Sequence, residues 1–264
     1  MTTRTSYDPG TPCWIDLTSP DTDASTAFYS GLFGWDAEDQ HDPDGNHIYT
    51  NFSRDGQLVA GMAPQQPEMA GMPPIWNTYV ATSDVDTTTK KVEEAGGTVM
   101  LPPMDVMTQG RMAVYADPSG AVVSAWQPGE HVGAAVCNEA DAWSWNELMS
   151  RDLDRALAFY TDVFGWHYDP QDMPGGMTYH VVEGGDEGGL GGLMDMPDEI
   201  SDEVPSYWGV YFTVDDCDAT VDRARELGGG VLMEPMDMGG VGRMATLHDP
   251  MGGTFNVMQP APAG

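Results

Sequence analysis

The sequence predicts an α+β fold in which one domain is used twice in tandem, and three observations predict it. The first is self-similarity at a fixed spacing, which marks a duplicated unit. Trp14-Ile15-Asp16-Leu17 overlays Trp145-Asn146-Glu147-Leu148 at a shift of 131 (145 − 14). That register holds through Asp21/Asp152, Asp23/Asp154, Ala27/Ala158, Phe28/Phe159, Tyr29/Tyr160, Phe33/Phe164, Gly34/Gly165 and Trp35/Trp166. The shift then becomes 132 (208 − 76), pairing Trp76 with Trp208, Asp84 with Asp216, and Gly96-Gly97 with Gly228-Gly229. Pro103-Met104-Asp105 matches Pro235-Met236-Asp237, Gly110-Arg111-Met112-Ala113 matches Gly242-Arg243-Met244-Ala245, and Asp117-Pro118 matches Asp249-Pro250. The second observation is that each half reads as strand–helix–three strands, twice. The third is a tight turn, Asp-Pro-Ser-Gly at 117–120, placed before a last strand. Domains are expected at 1–130 and 141–264, with a Gly/Ala-rich linker over 131–140.

Taken in order, residues 13–19 alternate and follow Pro12, which suits a strand. Asp21 is placed to cap the next helix, because a carboxylate accepts bonds from the unpaired N–H groups of a first turn. In the second copy Ala156, Phe159, Tyr160, Val163 and Phe164 form one apolar helical stripe. Gly34 and Gly165 end these helices, where a left-handed residue is wanted. Strands are expected over 46–52 and 179–182, after the turns Asp44-Gly45 and Gly175-Gly176. A strand over 76–81, a helix over 84–95 closed by Gly96-Gly97, and strands near 98–101, 111–116 and 121–126 complete the half.

Phe-Tyr-x-x-x-Phe-Gly-Trp after a strand (28–35 and 159–166), Gly-Gly closing a second helix, and Asp-Pro-x-Gly before a last strand are together a nameable pattern. It resembles the vicinal-oxygen-chelate (glyoxalase/bleomycin-resistance/dioxygenase) superfamily, and looks closest to double-domain actinobacterial members called glyoxalase-like or hydroxylase. The resemblance covers both halves. It implies glyoxalase-like domains, each of two βαβββ modules curled into a half-open barrel around a cleft. Function does not follow from this fold, which hosts lyases, dioxygenases, epimerases and metal-free drug-binding proteins.

Metal-using relatives place one ligand on each of four cleft strands. The positions implied here hold Trp14 and Trp145, Asn77 and Gly209, and Ser124 and Asn256, with the fourth on the strands at 58–62 and 189–194. About four to six good donors are needed for a divalent ion. No metal and no other cofactor is therefore expected, with a divalent ion as the alternative. No histidine is matched between copies: His47 meets Met177, His167 meets Asp36, His180 meets Thr50 and His248 meets Ala116. Cys13, Cys137 and Cys217 lack metal spacing and are expected to be free thiols in a reducing compartment.

Alternate residues of a strand face opposite sides. With the ligand position facing the cleft, Trp14, Asp16 and Thr18 line one cleft and Trp145, Glu147 and Met149 the other, while Leu17 and Leu148 face the helices. An indole offers a flat wall for a planar ligand. A partly desolvated carboxylate beside it suits general acid–base work. Asp16 and Glu147 are thus the catalytic candidates. Trp14, Trp145, Trp76 and Trp208 are ligand-binding candidates. So are Met104, Asp105, Met236 and Asp237, ahead of the Gly-containing loops, together with Arg111 and Arg243. The competing reading pairs Asp16 and Glu147 with Arg111 and Arg243 as ordinary ion pairs. The methionines Met62, Met104, Met107, Met112, Met194, Met196, Met236, Met238 and Met244 suit either core packing or an adaptable apolar pocket.

Acidic residues number 42 against 10 basic ones, a net charge of −32, so the basic footprint that nucleic acid requires is absent. Anionic membrane surfaces are disfavoured for the same reason. With 41% apolar residues a proper core is available, and no leader-like segment stands at the start. The expectation is a cytoplasmic small-molecule protein, monomeric with a dimer as alternative. Its expected role is to bind, with or without transforming it, an apolar or aromatic metabolite; a metal-dependent glyoxalase, lyase or dioxygenase and a non-catalytic resistance protein are the alternatives.

Overall fold

The computed structural model describes residues 3–69, 71–173, 176–185 and 188–262. Gly175, part of one expected turn, lies outside them. The first half runs β1 (Pro12–Ser19), α1 (Thr22–Phe33), β2 (Asp36–His41), β3 (His47–Arg54), β4 (Gln57–Pro64), β5 (Ile75–Ala81), α2 (Val85–Glu94), β6 (Thr98–Val106), β7 (Gly110–Ala116) and β8 (Val122–Pro128). The second repeats it as β9 (Ala142–Ser150), α3 (Leu153–Phe164), β10 (Tyr168–Asp172), β11 (Thr178–Val182), β12 (Gly191–Asp195), β13 (Tyr207–Thr213), α4 (Cys217–Glu226), β14 (Gly230–Asp237), β15 (Gly242–His248) and β16 (Thr254–Pro260). Each half is one 8-stranded sheet, ordered β2-β3-β4-β1-β5-β8-β7-β6 and β10-β11-β12-β9-β13-β16-β15-β14. The two modules of a half meet where β1 runs antiparallel to β5, and β9 to β13. The sheets stay open, as a half-open barrel requires.

Local chemistry explains the boundaries. Asp21, Asp84, Asp152 and Asp216 each accept a first-turn N–H from Ala24, Thr87, Arg155 and Ala219, so all four long helices start on an aspartate cap. Gly34 and Gly165 end α1 and α3 at φ of 70° and 76°, where a Cβ would be strained. Pro102 and Pro103 fall inside β6, which the sequence reading cut short at 101. Proline is tolerated there because β6 is an edge strand with one side of its backbone unpaired.

The helix-bearing faces of the two sheets turn toward each other, and both cores are shared between halves. One joins Phe28, Tyr29, Phe33 and Trp35 to Phe212, Leu247 and Phe255; the other joins Val85, Val92 and Tyr115 to Phe159, Tyr160 and Trp166. The clefts consequently face outward. Asp117 and Asp249 give the Asp-Pro turn a second role. Each folds its own turn by accepting backbone N–H bonds (Ser119 and Ala121; Met251 and Gly253). Each also accepts the buried hydroxyl of a tyrosine from the other half, Tyr160 to Asp117 at 3.0 Å and Tyr29 to Asp249 at 3.1 Å. Residues 131–140 run between the sheets with Ala134 and Val136 fully buried, and the Ala134 N–H bonds the Cys13 carbonyl. Among the described residues no helix is long and apolar enough to cross a membrane.

Candidate functional site

In each sheet the central strands present the same constellation on the face away from the helices. In the first half Asp16 pairs in register with Asn77 on β5 and Gly61 on β4, while Trp14 pairs with Tyr79. Alternation places these side chains on one face. The Trp14 indole N–H donates to the Tyr49 hydroxyl (2.9 Å), and Tyr49 donates to Asp16 Oδ2 (3.1 Å). Tyr79 donates to the same oxygen (2.9 Å), and Asn77 Nδ2 donates to Oδ1 (2.8 Å) and to Thr18 (2.9 Å). Every one of these partners of Asp16 is a donor, which is the environment of a carboxylate anion. Burial raises the Asp16 pKa, opposed by the hydrogen bonds from Asn77, Tyr79 and Tyr49. The phenols shift the same way: burial, then the Asp16 charge, holds Tyr49 and Tyr79 well above the usual tyrosine range.

The second half repeats the chain of bonds. Trp145 donates to the Tyr179 hydroxyl (2.8 Å), and Tyr211 donates to Glu147 Oε1 (2.8 Å). Tyr179 also hydrogen-bonds Glu147, whose pKa is raised by burial. Gly192 matches Gly61, and in both places a Cβ would overlap the tyrosine hydroxyl that crosses it, Tyr179 or Tyr49. Glycine is required there to admit the ring.

Sequence reasoning missed these tyrosines. Tyr49 and Tyr179 stand at a shift of 130 (179 − 49), and Tyr79 and Tyr211 at 132 (211 − 79), so the repeat that exposed the tryptophans also held them. It missed His131 as well. That ring packs edge-on against Trp14 at 4.5 Å and Trp126 at 5.5 Å, and closes one end of the first cleft. Burial drives its pKa down to about 4, so it is neutral at physiological pH.

Several expected site residues lie elsewhere. Trp76 and Trp208 sit on the helix side of the central strands, in register with Leu17 and Leu148. They donate to the Tyr29 and Tyr160 hydroxyls at 3.0 and 2.8 Å, and so belong to the shared cores rather than to a cleft. Met62 is likewise fully buried in a core. Arg111 pairs with Asp86 and Asp105, and Arg243 with Asp218 and Asp237. Neither reaches Asp16 or Glu147, which corrects the ion-pair reading. Both arginines bridge a strand edge to a helix N-terminus, and Asp105 and Asp237 go with them. Met104 and Met236 lie within the edge strands β6 and β14, ahead of the Gly-containing loops. They face the cleft side through register with Met112 and Met244, which continue to Trp126 and Met258.

These residues do not suit a divalent ion. Each cleft centre offers one carboxylate, and its oxygens are already taken by phenol or amide donors that a metal would have to displace. Among the described residues no group of three or more His, Cys, Asp or Glu converges. A separate cavity of about 410 Å³ lies at the seam between the halves, lined by Tyr7, Cys137, Trp143 and Ser144 among others, without that constellation.

The model of the Glyoxalase/Bleomycin resistance protein/Dioxygenase superfamily matches residues 13–124 and 131–257. A Mycobacterium tuberculosis protein named "Putative glyoxylase CFP32" is 44% identical over 263 residues, covering 99% of both chains. The anthracycline biosynthesis protein DnrV of Streptomyces peucetius is 43% identical over 278 residues, covering 98% of both. Among solved structures, the Mn(II)-bound glyoxalase from Novosphingobium aromaticivorans superimposes with a TM-score of 0.64 at 17% identity, over 96% of this chain and 84% of that one. Homoprotocatechuate 2,3-dioxygenase from Arthrobacter globiformis does so with a TM-score of 0.65 at 14% identity, over 96% and 80%. At such identities the structural likeness shows the fold alone.

Proposed function

The chain belongs to the Glyoxalase/Bleomycin resistance protein/Dioxygenase superfamily, and we propose that its clefts bind a planar aromatic small molecule and shift a proton on it without a metal. The observation that supports this reading is the twice-built chain Trp–Tyr–carboxylate–Tyr, with the carboxylate buried and no cation among the described residues bonded to it. A buried anion is costly unless its oxygens are hydrogen-bonded. A chain that invests two tyrosines per carboxylate keeps a charge where a core residue would otherwise stand. Trp145, half-buried, gives the ligand a flat wall, and Trp14 takes the matching place in the first cleft beneath His131. Asp16 and Glu147 take the proton, and the phenol donors stabilise the carboxylate that returns. The relative named for anthracycline biosynthesis fits a fused-ring metabolite as ligand.

The metal-dependent reading, which the names of the glyoxalase and dioxygenase neighbours suggest, lacks a fitting donor set here, so no step is routed through an ion. Binding without turnover uses the same site and differs only in yielding no product. The shared cores make a single chain a complete unit, which supports a monomer.

The sign of the pH effect follows from the raised carboxylates. A carboxylate whose folded pKa lies above its unfolded one, near 4, contributes stability that is present below the unfolded value. That contribution is lost as pH rises through the folded value. Proton abstraction runs the other way, gaining with pH through the same window as the base ionises. Stability of the wild type is therefore expected to fall with rising pH across that window more than stability of the Asp16→Asn/Glu147→Gln pair. Thermal midpoints measured from pH 4 to 8 check this, and parallel curves count against buried, raised acids. Incubation with aromatic ketones and quinones, followed by product analysis, tests turnover; unchanged compounds for wild type would leave binding alone.

A further inference from the structure

The two clefts are not equivalent, and the difference is a missing hydrogen-bond donor. In the first cleft three donors close on Asp16: Tyr49 and Tyr79 on Oδ2 and the Asn77 amide on Oδ1. In the second, Glu147 receives Tyr211 and Tyr179. The position facing it across the sheet, where the first cleft holds Asn77, is Gly209. The third donor is absent because the residue has no side chain. The place is snug rather than empty: a Cβ built on Gly209 would press on Asn256 Nδ2 at 3.3 Å, with the Tyr207 ring at 3.7 Å, so a larger group enters only if the Asn256 amide gives way. The Asn256 amide does not turn to Glu147; it donates to the Val210 carbonyl (3.3 Å) and accepts from Thr246 (2.7 Å).

The mouths differ in the same direction. Trp14 is 3% exposed under His131, whereas Trp145 is half-buried. Trp126 stands on one side of the first cleft, and its register equivalent in the second is the more compliant Met258.

The geometry points to the second cleft as the ligand site, with a protonated amine of the planar ligand donating to Glu147 where Asn77 donates in the first. This rests on the aromatic-ligand reading above and adds the cleft and the group recognised. An ammonium suits the place because the Glu147 carboxylate stands there, with Tyr179, Tyr207 and Tyr211 beside it. The net charge of −32 concentrates cations at the surface as well. The first cleft, with three donors on its carboxylate and His131 across its end, is the closed copy.

The test is tryptophan-fluorescence titration of the full chain with 1-naphthylmethylamine and with 1-methylnaphthalene, the same ring without a donor. One amine per chain is expected, bound at least tenfold more tightly than the hydrocarbon. Gly209→Asn, which restores the third donor, is expected to lose this binding by at least tenfold. Gly209→Ser keeps the measurement open should the asparagine variant fail to fold, and is expected to weaken the amine selectively. Equal affinity for the two probes, two amines per chain, or binding indifferent to both substitutions would overturn the inference while leaving an aromatic-ligand cleft standing. Absence of saturable quenching by either probe sinks the inference and the underlying reading together.

Discussion

Truncating Phe255 to alanine is expected to destabilise the whole chain by about 3–5 kcal/mol and to lower its melting temperature by roughly 10 °C. Phe255 belongs to β16 of the second half, is 1% exposed, and packs against Phe28, Tyr29 and Phe33 of the first half as well as Phe212 of its own. The cavity it leaves opens in a core that both halves line, so neither can relax alone. The buried Tyr29–Asp249 bond lies beside it and loses its packing support. Differential scanning calorimetry should show one transition shifted as a whole. Two transitions, with only the second half's moved, would show that the halves are energetically separate.

Placing a methyl group on Gly192 is expected to weaken aromatic-amine binding at the second cleft by at least tenfold, about 1.4 kcal/mol. The added Cβ occupies the place of the Tyr179 hydroxyl. That ring cannot swing aside cheaply, because its hydroxyl accepts from Trp145 and bonds Glu147. Its displacement breaks both links and leaves an indole N–H and a buried carboxylate short of a partner, each costing roughly 1–3 kcal/mol. Tyr179→Phe removes the hydroxyl while keeping the ring, and should show a smaller loss. Titration of both variants with the same amine checks the order; full affinity in Gly192→Ala would mean that Tyr179 does not hold the site.

The repeat made the architecture legible because duplication writes structure into sequence spacing. Asp21, Asp152, Gly34 and Gly165 keep their places since caps and left-handed ends are local demands on one residue each. The buried acids were legible by strand alternation from Trp14 and Trp145, and Leu17 and Leu148 fell on the opposite side as alternation requires. Trp76 and Trp208 show where that reasoning stops. Their matched register made them look functional, yet duplication conserves shared-core contacts as faithfully as it conserves a site, and these two indoles hold Tyr29 and Tyr160. Tyr49 and Tyr179 went unread because their strands are two away from the acids they bond, and nothing local reports a contact across a sheet. Arg111 and Arg243 lie on the helix side of their strands, so the acids they meet are those of the helix starts, a choice fixed by strand parity.

The central claim is that the cleft carboxylates serve an organic ligand rather than a metal. Elemental analysis of the chain purified without chelator or metal-affinity resin tests it most directly. The account predicts substoichiometric transition metal, and no gain in thermal midpoint on adding Mn, Fe, Ni or Zn. One or two tightly held ions per chain, lost together with stability on chelation, would contradict it. They would require Asp16 or Glu147 to exchange its tyrosine donors for a metal.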